Sequence, residues 1–385
     1  MTNFPTEKFK ELKTPFYYYD MSLLEDTLSL VKKESEKYDF HVHYAIKANA
    51  NDRVLEKIRS KGFGIDCVSG YEIQKALEVG FSPDGIVFAG VGKADWEIEL
   101  GLKHDIYCFN VESLPELEII NELAAKNGKK ARVAFRINPN VQADTHHYIT
   151  TGLDENKFGI SMPDLESVLD RMKELENVQF EGMHFHIGSQ ITDLDNFKDL
   201  CTRVNELQEW FISRQLFPKV INVGGGFGID YDDPQNNPIS DFASYFKVFK
   251  DFLKLKAGQE LHFELGRSVV GQAGNVISRV LYVKEGVKTR FAIIDAGMTD
   301  LIRPALYQAK HKIESLSASS DAKKVRYDVV GPICESSDSF GKAIDLPELK
   351  RGDFVALRSA GAYGEVMVSR YNLREEPQAF YSDDF

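Results

Sequence analysis

The amino-acid sequence predicts an α/β protein: a closed (β/α)8 barrel of the TIM type followed by a second, all-β domain. Three observations predict it. Between residues 41 and 267 eight strand-like segments alternate with helix-like ones without clear interruption, a rhythm that selects parallel strands and closes at eight. Beyond Arg267 the segments stay strand-like, with turn signals and little helix between them. The length, 385 residues, exceeds one ordinary domain and accommodates both parts.

Residues 15–20 (Pro-Phe-Tyr-Tyr-Tyr-Asp) read as one isolated aromatic strand. It is expected to join the second domain, because a lone strand needs a sheet. An amphipathic helix follows from Met21 to Lys37, with Ser22 as its cap and Glu25 three residues on. The barrel strands are predicted at His41–Asn49, Phe63–Ser69, Gly85–Gly92, Ile106–Val111, Ala131–Asn138, Phe180–Gln190, Val220–Gly226 and Glu260–Arg267. Helical patterns lie between them: Asp52–Lys61, Tyr71–Val79, Ala94–Leu102, Pro115–Asn127, Pro163–Leu175, Leu194–Gln215 and Asp241–Leu255. The longest irregular stretch, Pro139–Gly159 with its His146-His147 pair, is expected to fold over the barrel mouth. In the second domain, Val276–Lys284, Arg290–Asp295, Val325–Gly331 and Phe354–Arg358 read as strands, and residues 314–323 as an exposed, mobile loop. The domain boundaries follow: residues 24–267 for the barrel, 1–23 and 268–385 for the β-domain.

Composition excludes several classes. The chain carries 47 basic against 59 acidic residues, a net charge of −12, with no block of like charge. That argues against nucleic acid or an anionic membrane as partner. No apolar run reaches the length of a membrane span, and the charged N-terminus lacks the apolar core of a signal peptide. Four scattered cysteines (Cys67, Cys108, Cys201 and Cys334) form no CxxC and no zinc-like spacing. A reduced, cytoplasmic protein is expected, with no metal.

The chemistry is sought at the C-terminal strand ends, where such barrels carry their active sites. Lys47 lies late in the first strand, after the apolar run His41–Ile46. An ammonium there needs a partner or a lowered pKa, and a lysine made neutral is a nucleophile for an aldehyde. His186 and Ser189 end the sixth strand, Gly224-Gly225-Gly226 closes the seventh, and Glu264 and Arg267 end the eighth. A glycine run after strand seven lets backbone N–H groups approach a phosphate. Glu264, set among His262-Phe263 and Leu265-Gly266, is a carboxylate that is costly without a partner. Pyridoxal phosphate asks for these parts: an aldehyde for Lys47, a phosphate for the glycines, a ring for His186, and a ring nitrogen that Glu264 keeps protonated.

The residues also carry a resemblance. Tyr44-Ala45-Ile46-Lys47-Ala48-Asn49, Arg136-Ile137-Asn138-Pro139-Asn140, Thr150-Thr151-Gly152-Leu153, Lys157-Phe158-Gly159-Ile160, His184-Phe185-His186-Ile187-Gly188-Ser189-Gln190 and Gly224–Gly226 occur in order. The second domain adds Asp295-Ala296-Gly297-Met298, Leu301-Ile302-Arg303-Pro304-Ala305-Leu306-Tyr307, Gly331-Pro332-Ile333-Cys334-Glu335-Ser336-Ser337-Asp338 and Gly361-Ala362-Tyr363-Gly364. With these motifs, spread over roughly residues 15–375, the chain resembles the diaminopimelate decarboxylase family, in the alanine-racemase-like fold III class of pyridoxal-phosphate enzymes. The resemblance implies decarboxylation of meso-2,6-diaminopimelate to L-lysine and carbon dioxide, the last step of lysine biosynthesis, through an imine of substrate with cofactor. It places the cofactor on Lys47, His186 against its ring, Ser189, Gly224–Gly226, Gly266, Arg267 and Tyr363 around it, and Glu264 at the ring nitrogen. It assigns Arg267, Arg303, Tyr307, Glu335 and Tyr363 to the substrate and Cys334 to the acid. Cys334 and Glu335 would come from a partner chain, so a homodimer with shared active sites is implied.

The chemistry of that substrate agrees: its non-reacting end is a zwitterion, which an arginine and a carboxylate match. The alternative is another basic-amino-acid decarboxylase of the ornithine or arginine type, for which Arg303 would be a repulsive charge. Leu265 where proline is usual, Thr299 where asparagine is common, and Ala89–Lys93 in the third-strand loop depart from the family without removing a catalytic group. A metal-dependent hydrolase using His41/His43 or His184/His186 is the rival from another class. Position argues against the first pair, since His43 precedes Lys47 by about 13 Å at strand rise.

Overall fold

The computed structural model describes residues 4–139, 157–318 and 322–385. Most of the stretch expected over the barrel mouth, and Thr150–Leu153 of the resemblance, lie outside the described residues. The chain divides into two compact units: Leu28–Gly228 with Asp241–Gly266, and Met1–Thr27 with Ile229–Ser240 and Arg267–Phe385. The segment Ile229–Ser240, assigned to the barrel from sequence, groups with the β-rich unit instead.

Strands are numbered along the chain, beginning with β1 (Phe16–Tyr19). In the first unit β2 (His41–Ala45), β3 (Gly64–Cys67), β4 (Ile86–Phe88), β5 (Cys108–Val111), β6 (Ala131–Arg136), β7 (Val178–His184), β8 (Val220–Asn222) and β9 (Glu260–Leu265) form a closed barrel in chain order. β2 pairs in parallel with β9 to shut it. Several of the helices between them start at a short polar side chain that caps them. Asn51 accepts from the Arg53 N–H at 3.2 Å, Ser69 from Glu72 N–H at 3.2 Å, and Ser113 from Glu116 N–H at 3.3 Å. Each buries one apolar stripe, as Val54, Leu55 and Ile58 do in the helix Asp52–Ser60. Phe242, Tyr245, Phe246 and Phe249, on one face of the helix Phe242–Phe252, are buried, and the last three pack their rings on Phe263.

The barrel strands end earlier than the sequence pattern suggests. The segment His41–Asn49 is strand only to Ala45, and Ile46–Ala48 forms a single 3-10 turn. Phe180–Gln190 is strand only to His184. Apolar residues continue past the last ladder bond because the turns are buried too, which periodicity does not separate from strand.

In the second unit β10 (Gly274–Glu285), β11 (Arg290–Ile294), β12 (Ile313–Ser315), β13 (Lys324–Val330), β14 (Ser339–Pro347), β15 (Phe354–Leu357) and β16 (Gln378–Tyr381) build an eight-stranded sheet with β1. As expected, β1 joins it, pairing antiparallel with β10 and parallel with β16. Its rings fill the local core: Phe9, Phe16, Tyr18, Ile277, Phe354 and Ala356 are buried together. Two expectations are corrected. The cap of the helix Met21–Glu36 is Asp20, whose carboxylate accepts from Leu23 N–H at 2.9 Å, so Ser22 lies inside the helix. Residues 313–315 pair with β15, so the loop placed at 314–323 begins later.

Candidate active site

Lys47 sits in the turn after β2, its side chain one-third exposed and its Nζ 2.8 Å from Asp66 Oδ2 on β3. The sequence offered an unpaired ammonium; the barrel supplies a buried counter-charge. Burial, with Glu264 adding to it, pushes the Asp66 carboxyl up to about 6 against the pull of Lys47. Gly266 makes room beside this turn, since a Cβ there would lie 3.2 Å from that of Ala45 and 3.1 Å from that of Ala48.

Glu264, near the end of β9, is buried and held on both oxygens. Oε1 accepts from Asn222 at 2.8 Å and from Asn110 at 3.1 Å, and Oε2 lies 3.0 Å from His184 Nε2. Burial works against its charge, yet His184, then Lys47, keep the carboxyl well below the usual range. The His186 imidazole is pushed the other way: burial, Arg136 and Lys47 hold it well below its ordinary value, so it is neutral at pH 7. Behind it Arg136 pairs with Glu112 at 2.8 Å, and the other Glu112 oxygen accepts from Gly159 N–H at 3.0 Å.

The glycine run follows β8. A Cβ on Gly224 would meet the Phe185 carbonyl at 2.2 Å, and one on Gly225 the Glu264 carbonyl at 2.0 Å. Only glycine permits this approach. The Gly224 N–H donates to Asn222 Oδ1 at 2.9 Å. The Gly225 N–H reaches His186 Nδ1 at 3.4 Å, a contact weak enough for an anion oxygen to displace.

The second unit holds its own constellation. Arg267 and Arg303 both donate through Nη1 to the Tyr231 hydroxyl, at 2.7 and 2.8 Å. Arg303 also lies 3.0 Å from His311 Nε2, whose Nδ1 donates to the Arg358 carbonyl at 2.8 Å. Burial opposes ionisation of Tyr231, but the two guanidinium groups pull its phenol below the ordinary value. Tyr307 stands one turn after Arg303 on the helix Arg303–Tyr307. Tyr363 stacks under the Arg267 guanidinium at 4.9 Å and holds φ at +55°, a left-handed conformation that tyrosine rarely adopts. Cys334 and Glu335 lie exposed on a loop. Its anchor is buried Asp338, which accepts from Ile333 N–H at 2.7 Å and Met298 N–H at 2.6 Å. Glu335 accepts from the Tyr371 hydroxyl at 2.7 Å.

A family model of pyridoxal-dependent decarboxylases, pyridoxal binding domain, matches residues 22–271. Diaminopimelate decarboxylase of Bacteroides thetaiotaomicron is 62% identical over 382 residues, covering 99% of this chain and 98% of that protein. The chain belongs to the diaminopimelate decarboxylase family. A crystal structure of the Helicobacter pylori family member with L-lysine has a TM-score of 0.92 at 39% identity, covering 99% of this chain and 94% of that one. A lysine/ornithine decarboxylase from Vibrio vulnificus has a TM-score of 0.85 at 20% identity, over 99% and 97%. That likeness concerns the fold alone.

Pyridoxal phosphate is the family's cofactor, and the residues present fit it. Glu264 Oε2 accepts from His184 alone among the side chains described, so a lone pair remains for a protonated ring nitrogen. Gly224 and Gly225 bring bare backbone close, and the neutral His186 ring suits stacking. Sequence reasoning missed Asp66, Asn110, Asn222 and Tyr231, and took His184 only as a rival metal ligand. Asp66 carries the same signal as Glu264, a carboxylate in an apolar strand (Gly64-Ile65-Asp66-Cys67-Val68). Tyr231 carries none, because Asp230-Tyr231-Asp232-Asp233-Pro234 reads as a polar turn.

Proposed function

We propose that this chain removes carbon dioxide from the D-configured end of meso-2,6-diaminopimelate and releases L-lysine. The observation that carries the choice of substrate is Arg303: buried, and among the described residues bonded only to a phenol and an imidazole. A buried guanidinium without a carboxylate is costly. The carboxylate at the non-reacting end of diaminopimelate removes that cost, and ornithine has none to offer.

Lys47 would hold the cofactor aldehyde, His186 its ring face, Glu264 its ring nitrogen, and Ser189 with Gly224–Gly226 its phosphate; Gly266, Arg267 and Tyr363 complete the surround. The cofactor, when bound, supplies a ring that accepts the electron pair left by the departing carboxylate. Ionised Glu264 keeps the proton on that nitrogen, because His184, Asn110 and Asn222 already stabilise its charge. Asp66 takes the Lys47 ammonium whenever the lysine is released, holding a proton at Nζ within reach of the reacting carbon. Neutral His186 covers a ring face without adding a competing positive charge. Arg303, Arg267 and Tyr307 orient the distal carboxylate, and Glu335 binds the distal ammonium. The Cys334 thiol delivers the proton that replaces carbon dioxide.

The exposure of Cys334 and Glu335 supports a homodimer in which each chain lends this loop to the other's site. The anionic composition, with no helix among the described residues long and apolar enough to cross a membrane, supports work in the cytoplasm. The barrel would carry the cofactor and the β-rich unit the substrate arginines and the dimer interface. Carbon dioxide release from diaminopimelate, ornithine, arginine and lysine tests the reaction; equal turnover of ornithine would overturn the substrate assignment. Mixing inactive Lys47→Ala and Cys334→Ala proteins tests the shared site. Re-paired dimers should recover about a quarter of wild-type turnover, and no recovery removes the shared arrangement.

A further inference from the structure

At the opposite, N-terminal end of the barrel a second cluster lines a cleft of about 440 Å³, with no part in the reaction above. Its members come from the two strands that close the barrel. His41 on β2 is the register partner of His262 on β9, and Glu260 precedes His262 by two, so all three point to one face. Their donor atoms lie within 4.8 Å of one another. His262 is buried, while His41 and Glu260 are exposed enough to swing inward. A tetrahedral zinc site needs donors about 3.3 Å apart, from metal–ligand bonds near 2 Å, and rotating two exposed side chains reaches that spacing.

The hydrogen bonding behind the cluster independently asks for a cation. Three contacts run in series: Gly85 carbonyl to His43 Nδ1 at 3.1 Å, His43 Nε2 to His262 Nδ1 at 2.9 Å, and His262 Nε2 to Glu260 Oε2 at 3.2 Å. A carbonyl and a carboxylate bring no hydrogen, so with one hydrogen on each imidazole three contacts share two, and a proton or a metal ion at the open end supplies what is missing. The carbonyl fixes the proton of His43 on Nδ1, and His43 Nε2 then accepts from His262 Nδ1–H. The lone pair of His262 Nε2 is left facing a carboxylate lone pair, at the end of the chain open to the cleft and beside His41. The ring is also held from behind, as a metal-bound histidine is by its second nitrogen, and Tyr107 stacks on it at 5.5 Å.

We propose that His41, Glu260 and His262 form a binding site for a divalent zinc-type cation, with water as the fourth ligand and His43 as the positioning residue. The sequence led us to expect no metal anywhere in the chain, His41 and His43 included, and this proposal departs from that expectation. Imidazole and carboxylate donors suit zinc, cobalt and nickel over calcium or magnesium. Because the ligands straddle the β2–β9 seam, the ion would clip first strand to last.

The test uses the cofactor-loaded enzyme stripped with a chelator and dialysed against zinc chloride. One zinc per chain should be retained and should raise the melting temperature. His41→Ala and Glu260→Gln should each lose the metal and the thermal shift while decarboxylating normally, and Cys334→Ser should keep both. Cobalt(II) should give the intense visible band of a four-coordinate ion in wild type and in neither ligand variant. The proposal is overturned if wild type retains no stoichiometric metal, or if the His41 and Glu260 variants bind it as wild type does.

Discussion

Two buried charges, one in each unit, are satisfied in opposite ways. Glu264 in the barrel is enclosed by its own fold, with two amides and an imidazole on its carboxylate. Arg303 in the β-rich unit is buried against a phenol and an imidazole, neither of which need carry charge. In the proposed reading, the first arrangement sets the ionisation state of a group that would hold the cofactor's ring nitrogen. The second leaves a charge for a ligand to complete. The fold supplies the partners that stabilise the Glu264 charge, whereas Arg303 has no carboxylate partner among the described residues.

Mutations can break that contrast, and the largest effect lies outside either residue. Lys47→Ala should cut decarboxylation by about 10⁴-fold or more, measured as carbon dioxide release, and abolish borohydride trapping of the cofactor on that peptide. Glu264→Gln should lower kcat by roughly 10²- to 10³-fold with little change in KM, because it removes a charge felt during reaction. It should also destabilise the fold by about 1–3 kcal/mol in denaturant melts, since His184 loses its ionic partner. Arg303→Met should do the reverse: KM for diaminopimelate rises about 10- to 100-fold, while stability stays level or improves by about 1 kcal/mol. A loss of stability in Arg303→Met equal to that in Glu264→Gln would erase the distinction.

The smallest effect is one of pH. Burial pushes the Asp66 carboxyl up to about 6 and that of Glu72 up to about 7. The folded apo-protein therefore keeps these protons to higher pH than the unfolded chain. Folding takes up protons between about pH 4 and 7, and the stability from these groups falls as pH rises through that window. Asp66→Asn should flatten the stability–pH curve mainly below pH 6, by at most about 1.4 kcal/mol per pH unit. An unchanged slope would mean that Lys47 fully neutralises Asp66.

Much of the proposed site is legible in the sequence. A carboxylate or an ammonium in an apolar segment is a visible anomaly, and Lys47 and Glu264 were found that way. The C-terminal-end rule for barrels then brought distant segments to one face. Asp66 carries the same anomaly, but only the pairing of β2 with β3 sets it beside Lys47. Asn110 and Asn222 resemble ordinary strand-end residues, and only the closed barrel turns both toward one carboxylate oxygen. The run Gly224–Gly226 was read for its amides alone. The structure adds that all three of these glycines admit neighbouring carbonyls at distances no side chain tolerates. Ser22 lost its capping role to Asp20 because a cap depends on backbone dihedrals at one position, which helical periodicity does not locate.

Taken alone, the sequence determined the alternating architecture and the class of chemistry and marked Lys47 and Glu264 as charges in apolar segments, since local patterning and burial of charge are written in neighbouring residues; Arg267 and Arg303 came from the resemblance. The tertiary structure decided which partner each charge receives: Asp66 for Lys47, His184 for Glu264, Tyr231 for both arginines, and the histidine series at the far end of the barrel. Those pairings join residues far apart in the sequence, and their energies depend on distances that appear only when the chain has folded.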